Sequence, residues 1–163
     1  MMEVLNYTRL DRPDGKDWDA VGELFTRMYA RMDEMGLMLP LIPGGTEKWM
    51  KTAQNTAGRY GMVILAKKGE SVVGFAHGML KFLPDYLGGF AIGSITHVYV
   101  EDDSRRSGIG KALVNMLEDW FREKKTHSIE LQVITGNPAA KEFWKKLGYL
   151  EELQQYRKTS DQW

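Results

Sequence analysis

Apolar and polar positions follow two different periods along this chain, and the changes of period divide it into elements. Val4 to Leu10 alternates weakly, as an opening strand does, and the turn formers Asp11-Arg12-Pro13-Asp14-Gly15 close it. Trp18, Val21, Phe25, Met28, Met32 and Met35 then recur three and four residues apart, which sets them on one face of a helix that Asp17 can cap and Gly36 ends. That spacing reads Met28, Met32 and Met35 as core, together with Trp18 and Trp120. Leu37 to Thr46 holds Pro40, Pro43, Gly44 and Gly45 among apolar residues, a loop that serves equally as a lid or as a buried connector, with Met38, Leu39 and Leu41 as pocket candidates. A second amphipathic helix runs from Thr46 to about Ala57.

The period then changes to two. Met62 to Lys67 and Val72 to Leu83 read as strands joined by the hairpin turn Lys68-Gly69-Glu70-Ser71, and Ile92 to Val100 is a third strand rich in β-branched residues. Ile109, Ala112, Leu113, Met116, Leu117, Trp120 and Phe121 return to helical spacing. The strand Ile129, Leu131, Val133, a helix over about 138–146 stopped by Gly148, and a last strand from Tyr149 to about Lys158 complete the pattern. The predicted order is β-α-α-β-β-β-α-β-α-β, an α/β fold without repeat or linker, read as one domain over residues 1–163.

Composition narrows the chemistry. The chain has 163 residues, 43% of them apolar, and no cysteine, which excludes a thiolate nucleophile, a cysteine zinc site and an iron–sulfur cluster; no metal site is read. Met62 to Ala66, the longest clean apolar run, is far short of the roughly 20 residues of a membrane span. Met1-Met2-Glu3-Val4 lacks the pattern of a secretory signal, so a cytoplasmic location is expected and no membrane partner. The 22 basic and 22 acidic side chains also balance within each half, which argues against nucleic acid. One cluster departs from this balance: Glu101-Asp102-Asp103 is followed by Arg105, Arg106 and Lys111.

That cluster lies in Val98-Tyr99-Val100-Glu101-Asp102-Asp103-Ser104-Arg105-Arg106-Ser107-Gly108-Ile109-Gly110-Lys111, where a strand ends, a basic glycine-bearing turn follows and a helix begins. Helix-start N–H groups lack intrahelical partners and carry the positive end of the dipole, so the turn suits an anion, and glycine lets a phosphate come near the backbone. A Walker A loop fails here because Arg105 and Ala112 stand where glycine and Ser or Thr are needed. A dinucleotide fingerprint fails at Leu113.

Arg105-x-x-Gly108-x-Gly110 after Val-x-Val instead resembles the acetyl-CoA pyrophosphate loop of the GNAT superfamily of acyltransferases. Asn137-Pro138-Ala139-Ala140-Lys141-Glu142-Phe143-Trp144, ending in Leu147-Gly148-Tyr149, resembles the family's second signature at the expected separation. The resemblance covers about residues 60 to 155 and implies a mixed, mostly antiparallel sheet flanked by helices, with splayed central strands. It also implies acetyl-CoA as cosubstrate and direct transfer of the acetyl group to an amine, here taken as that of a small molecule. A protein or peptide amino terminus, or a non-catalytic CoA-binding role, are the alternatives, and a homodimer is left open.

Carried over residue by residue, the resemblance assigns the pantetheine arm to main-chain groups of Val98, Tyr99 and Val100, with the Val98 N–H near the oxyanion. Main-chain groups from Arg106 through Ser107, Gly108, Ile109 and Gly110 to Lys111 would hold the pyrophosphate. Arg105 and Arg106 are fitted to phosphate by their guanidinium forks, and Lys111 reads as a solvent residue close enough to help. Asn137 would bond the pantetheine or cap its own helix, with Phe143 and Trp144 beside the cofactor.

An alkyl ammonium of pKa about 10 must lose a proton before attack, and His97 is the candidate base. If the strands pair about a loop near residue 87, His77 faces it, although His77 itself reads as an ordinary sheet histidine and His127 as a turn residue. Many family members place a tyrosine acid at the position of Trp144. Its substitutes here are water, one of Tyr149, Tyr99 and Tyr156, or unassisted departure of the thiolate.

Overall fold

The computed structural model describes residues 3–163, so Met1 and Met2 of the amino-terminal reading lie outside it. Strand β1 (Leu5–Leu10) is followed by helices α1 (Trp18–Glu34) and α2 (Gly45–Thr56), then β2 (Gly61–Lys68), β3 (Ser71–Phe82) and β4 (Ala91–Val100). Helix α3 (Ile109–Glu123), β5 (Ile129–Leu131) and α4 (Pro138–Lys146) complete the regular part. The five strands lie side by side in chain order. All neighbours are antiparallel except β4 and β5, which are parallel.

Residues 62–66 explain the layering. A strand sends alternate side chains to opposite faces, so an unbroken apolar run needs a cover on both. Met62, Ile64 and Ala66 pack with Leu113, Leu117 and Phe121 of α3, while Val63 and Leu65 pack with Val21, Phe25 and Met28 of α1. Helices α1 and α2 therefore cover one face and α3 the other, with Phe143 and Trp144 of α4 packed against the α3 side. Met28 is buried and Met32 half-buried in this core, as their spacing predicts, whereas Met35, at the end of the helix, is half-buried but joins neither core cluster. In the loop Leu41 packs on the α1 and α2 cluster, and Met38 and Leu39 are exposed.

Two expectations are corrected. Asp17 precedes α1 but makes no side-chain cap; its carboxylate takes Lys67 Nζ at 3.2 Å instead. The last strand over Tyr149 to Lys158 does not form. Leu150, Leu153 and Tyr156 recur every third residue, whereas a strand gathers alternate ones, so neither face of this segment collects its apolar groups. All three are exposed, and the segment is tied to the chain just past β5 by the side-chain bond from Gln132 to Gln155, 2.9 Å.

The splayed centre is present and has an identifiable origin. His77 pairs with His97 but Gly78 pairs with Ile95, so Thr96 is an extra residue in β4, a β-bulge. Parallel pairing with β5 covers Gly93 to Ile95 and stops at that bulge. Side-chain parity reverses across it: Ile95 faces the α3 core, as do Val98 and Val100, while Tyr99 turns to the α1 and α2 face and His97 meets the rings there.

Candidate active site

Beyond the bulge, β4 keeps its antiparallel partner on one edge and loses β5 on the other. Antiparallel strands point successive main-chain groups to opposite edges, and Glu101 N–H donates to Val73 at 2.8 Å. Tyr99 and His97 share that direction, so Val98 and Val100 present their main chain to the open side. The Val100 carbonyl is taken there by Arg105 Nε at 2.8 Å.

The turn that follows is held from several sides. Arg27 and Arg31, one helical turn apart on α1, bond Glu101 and Asp102, so the acidic cluster is matched by the first helix. Arg105 also reaches Asp102 at 3.2 Å and lies over the Tyr99 ring, 5.5 Å from its centre. It is therefore a brace for the strand end, with less freedom to clasp phosphate than its sequence position implies. Ser107 Oγ donates to the Ser104 carbonyl at 2.6 Å, and Lys68 Nζ bonds the buried Ser104 hydroxyl at 3.1 Å.

Arg106 has φ +64° and Gly108 φ +82°, two left-handed residues flanking Ser107 that curl the chain into the helix start. The first is strained for a residue with a Cβ, a cost on the order of 1 kcal/mol or more. Among the described residues, no main-chain N–H from Arg106 to Lys111 donates to the protein. Six amides at one helix start, with the exposed cations of Arg106 and Lys111, form an anion cradle whose donor set suits a pyrophosphate. A Cβ at Gly110 would come within 3.3 Å of Phe143, whereas one at Gly108 meets nothing within 4 Å. Gly110 thus serves the contact between α3 and α4, and Gly108 the backbone conformation. Ile109 is buried, so it offers the site only its main chain, whereas Tyr99, buried and with its main chain turned to β3, offers neither side chain nor main chain to the open edge.

On the α1 and α2 face, His77 and His97 face one another across β3 and β4, with ring centres 5.8 Å apart. Phe25, Tyr29 and Trp49 lie 5.1, 6.2 and 5.6 Å from the His97 ring, and Trp49 meets His77 edge-on at 5.3 Å. Burial among these rings lowers His77 to about 4, and burial with the neighbouring imidazole lowers His97 to about 3. His97 is half-buried and keeps some open surface. Both rings are neutral near pH 7.

His77 departs from the reading as an ordinary, satisfied sheet histidine: its Nδ1 bonds Thr96 but its Nε2 is buried without a partner, as is Trp49 Nε1. Thr96, Phe25, Tyr29 and Trp49 escape sequence reasoning as site residues. The three rings carry ordinary core spacing, and nothing in Ser94-Ile95-Thr96-His97 announces a bulge.

The proposed acids fare differently from the base. Tyr149 donates its hydroxyl to Glu118 at 2.8 Å, and burial plus that carboxylate raise its pKa well above the usual tyrosine range, which removes it as a free acid. Tyr156 is exposed and bonded to Gln154. Asn137 caps α4, its Oδ1 accepting from Ala140 N–H at 3.1 Å.

A strand that splays beside an anion cradle suits a ligand with an extended arm and a phosphate group, and comparison with known proteins gives the family. The model of the acetyltransferase (GNAT) family matches residues 18–149, and the chain belongs to that family. An uncharacterized N-acetyltransferase of Methanocaldococcus jannaschii is 34% identical over 61 residues, 37% of this chain and 27% of the relative, so the match spans about a quarter of that protein. An aminoglycoside N-acetyltransferase in complex with CoA superposes with a TM-score of 0.75 at 12% identity, over 96% of this chain and 95% of that one. A ribosomal-protein-alanine N-acetyltransferase from Brucella melitensis gives 0.67 at 19% over 96% and 99%. A predicted acetyltransferase with acetyl-CoA from Clostridium acetobutylicum gives 0.73 at 20% over 96% of both. These likenesses establish the fold.

Proposed function

We propose that the protein is an acetyl-CoA-dependent N-acetyltransferase acting on a small-molecule amine. The observation that carries this reading is the run of unbonded amides from Arg106 to Lys111, placed where β4 opens away from β5 with His97 on the same strand. Bound acetyl-CoA supplies a thioester: the amine nitrogen bonds its carbonyl carbon, the carbon–sulfur bond breaks, and the products are an amide and the CoA thiol.

The chain's residues do the rest. The amides from Arg106 to Lys111, with Arg106 and Lys111 nearby, orient the pyrophosphate. The outward Val98 main chain and the Val100 N–H pair with the pantetheine arm while Arg105 holds the Val100 carbonyl, and the Val98 N–H faces the carbonyl oxygen as charge builds on it. His97, kept neutral by burial, is a weak base, so it accepts the proton only as attack on the thioester makes the amine nitrogen acidic, and passes it to solvent. Asn137 retains its side-chain NH₂ for the pantetheine while its Oδ1 caps α4.

The rings packed on the histidine pair are Phe25, Tyr29 and Trp49, with no carboxylate among them. This favours an amine borne on an apolar body over a polycation. Free-thiol release from acetyl-CoA across a panel of apolar primary amines tests the reading, with His97→Gln as control. Turnover that falls about a hundredfold in the variant while acetyl-CoA affinity holds supports it. Absence of turnover with every amine and peptide, despite acetyl-CoA binding, overturns it in favour of a CoA-binding module.

A homodimer fits the far edge of the sheet. The exposed Leu150, Leu153 and Tyr156 emerge beside the unpaired edge of β5 and a cavity of about 520 Å³ between α3, residues 126–129 and residues 147–150. A second copy brings the same segment and the same edge, as a two-fold interface needs. Sedimentation of the wild type and of Leu153→Asp with Tyr156→Asp tests this; a monomeric wild type at micromolar concentration rejects it.

A further inference from the structure

The bulge residue Thr96 makes three contacts through one oxygen. Its Oγ1 lies 2.6 Å from His77 Nδ1, 2.9 Å from His97 Nδ1 and 3.0 Å from the His77 carbonyl oxygen. A hydroxyl has one hydrogen and two lone pairs, and a carbonyl oxygen only accepts. The three contacts are satisfied together in one way: Thr96 donates to the His77 carbonyl, and both Nδ1 atoms donate to Thr96. Each imidazole then carries its hydrogen on Nδ1 and a bare lone pair on Nε2.

From this we infer that Thr96 is a positioning residue, which fixes the tautomer of both histidines and thereby makes His97 Nε2 the acceptor offered to the cleft. His97 Nε2 makes no bond to the described residues and is not among the buried atoms lacking a partner, so it remains open. The same assignment accounts for the two orphaned atoms. With its hydrogen on Nδ1, His77 Nε2 is an acceptor, while Trp49 Nε1–H is a donor, and the two rings are in edge contact. A small rotation of Trp49 would let its N–H donate to that lone pair and tie His77 to α2. The bulge supplies the geometry: an unbulged strand would turn His97 to the α3 face and leave no residue between the two rings.

The kinetic half of this inference rests on the proposed role of His97 as base; the tautomer half does not. Nitrogen-15 correlation spectra of the histidine rings of the full chain at pH 7 read the tautomers directly. The expected result is Nδ1–H for His77 and His97, with the exposed His127 serving as an internal reference. Thr96→Val removes the oxygen while keeping the shape, and should leave at least one of the two rings in the other tautomer or in exchange. Thr96→Ser should restore both. An Nε2–H tautomer at either ring of the wild type overturns the inference, and so does a Thr96→Val spectrum that keeps both Nδ1–H signals.

With the amine substrate in hand, Thr96→Val should lower kcat about tenfold or more, a part of what a positioned base contributes. KM for acetyl-CoA should stay within about twofold, with recovery in Thr96→Ser. A changed tautomer with unchanged kcat confirms what Thr96 does to the rings and counts against His97 as the base.

Discussion

The turn that opens α3 and the histidine pair of β3 and β4 are separated by Val98 to Val100, yet they are built in opposite ways. The turn offers main-chain N–H groups, supplied by consecutive residues, of which Ile109 sends its side chain into the core and Ser107 bonds the Ser104 carbonyl. The histidine region is built of side chains drawn from α1, α2, β3 and β4, and its geometry depends on one inserted residue in a strand. A main-chain site must be written in glycine and in local order. A side-chain site assembled by the fold has no local signature.

The difference can be broken at the turn with the largest effect. Gly108 holds φ +82°, which a β-branched residue adopts only under strain. Gly108→Val should misdirect at least two of the following amides. At about 1.5 to 3 kcal/mol for each hydrogen bond to a charged group, acetyl-CoA affinity should fall more than about a hundredfold by calorimetric titration. The histidine spectra should be unchanged. Affinity within about fivefold of wild type would mean that side chains, not the curled main chain, hold the anion.

A smaller effect belongs to the other region and concerns stability. His77 has its pKa lowered to about 4 by burial, against an ordinary 6.5 when unfolded, and the groups packed on its ring are His97, Thr96 and Trp49, none acidic. Between these values the unfolded chain binds a proton that the folded chain refuses, so stability rises with pH. The contribution is complete above pH 6.5 and is lost as pH falls toward 4. For this one group the loss between pH 7 and pH 5 is about 2 kcal/mol. Urea unfolding at the two pH values, compared between wild type and His77→Gln, isolates it. An equal pH slope in both would show that His77 is not desolvated, whereas Gly108→Val should retain the wild-type slope.

The same contrast explains what was legible in the sequence. The run from Met62 to Ala66 requires a strand covered on both faces, and the hairpin about Gly69 and the turn at Gly108 follow from local chemistry. The facing of His77 and His97 follows from counting residues around the intervening loop. The bulge at Thr96 does not, because Ile92 to Val100 alternates acceptably with or without it and the choice is made by α3 on one side and Trp49 on the other. Asp17 resembles a cap until Lys67, fifty residues away, claims its carboxylate. Tyr149 to Lys158 has the composition of a strand, but its apolar groups recur with the wrong period.

The smallest effect is expected at Trp144, and it tests whether the cofactor side needs a side-chain acid at all. Indole does not give up its proton near neutral pH. Trp144 is half-buried, its ring 4.9 Å from Phe143 and 5.2 Å from Tyr149, which is a packing role. The other tyrosines do not replace it: Tyr99 is buried under Arg105, Tyr149 is bonded to Glu118, and Tyr156 stands in solvent. A thiol such as that of CoA has a pKa near that of cysteine, about 8.5, so its thiolate is a competent leaving group that water can protonate. Trp144→Phe should therefore keep kcat within about threefold of wild type and lower Tm by a few degrees, the scale of about 1 kcal/mol of lost packing in a domain of this size. A fall in kcat of more than about a hundredfold, with acetyl-CoA affinity intact, is the scale of a lost general acid. It would show that the cofactor side, like the histidine side, depends on a side chain placed by the fold.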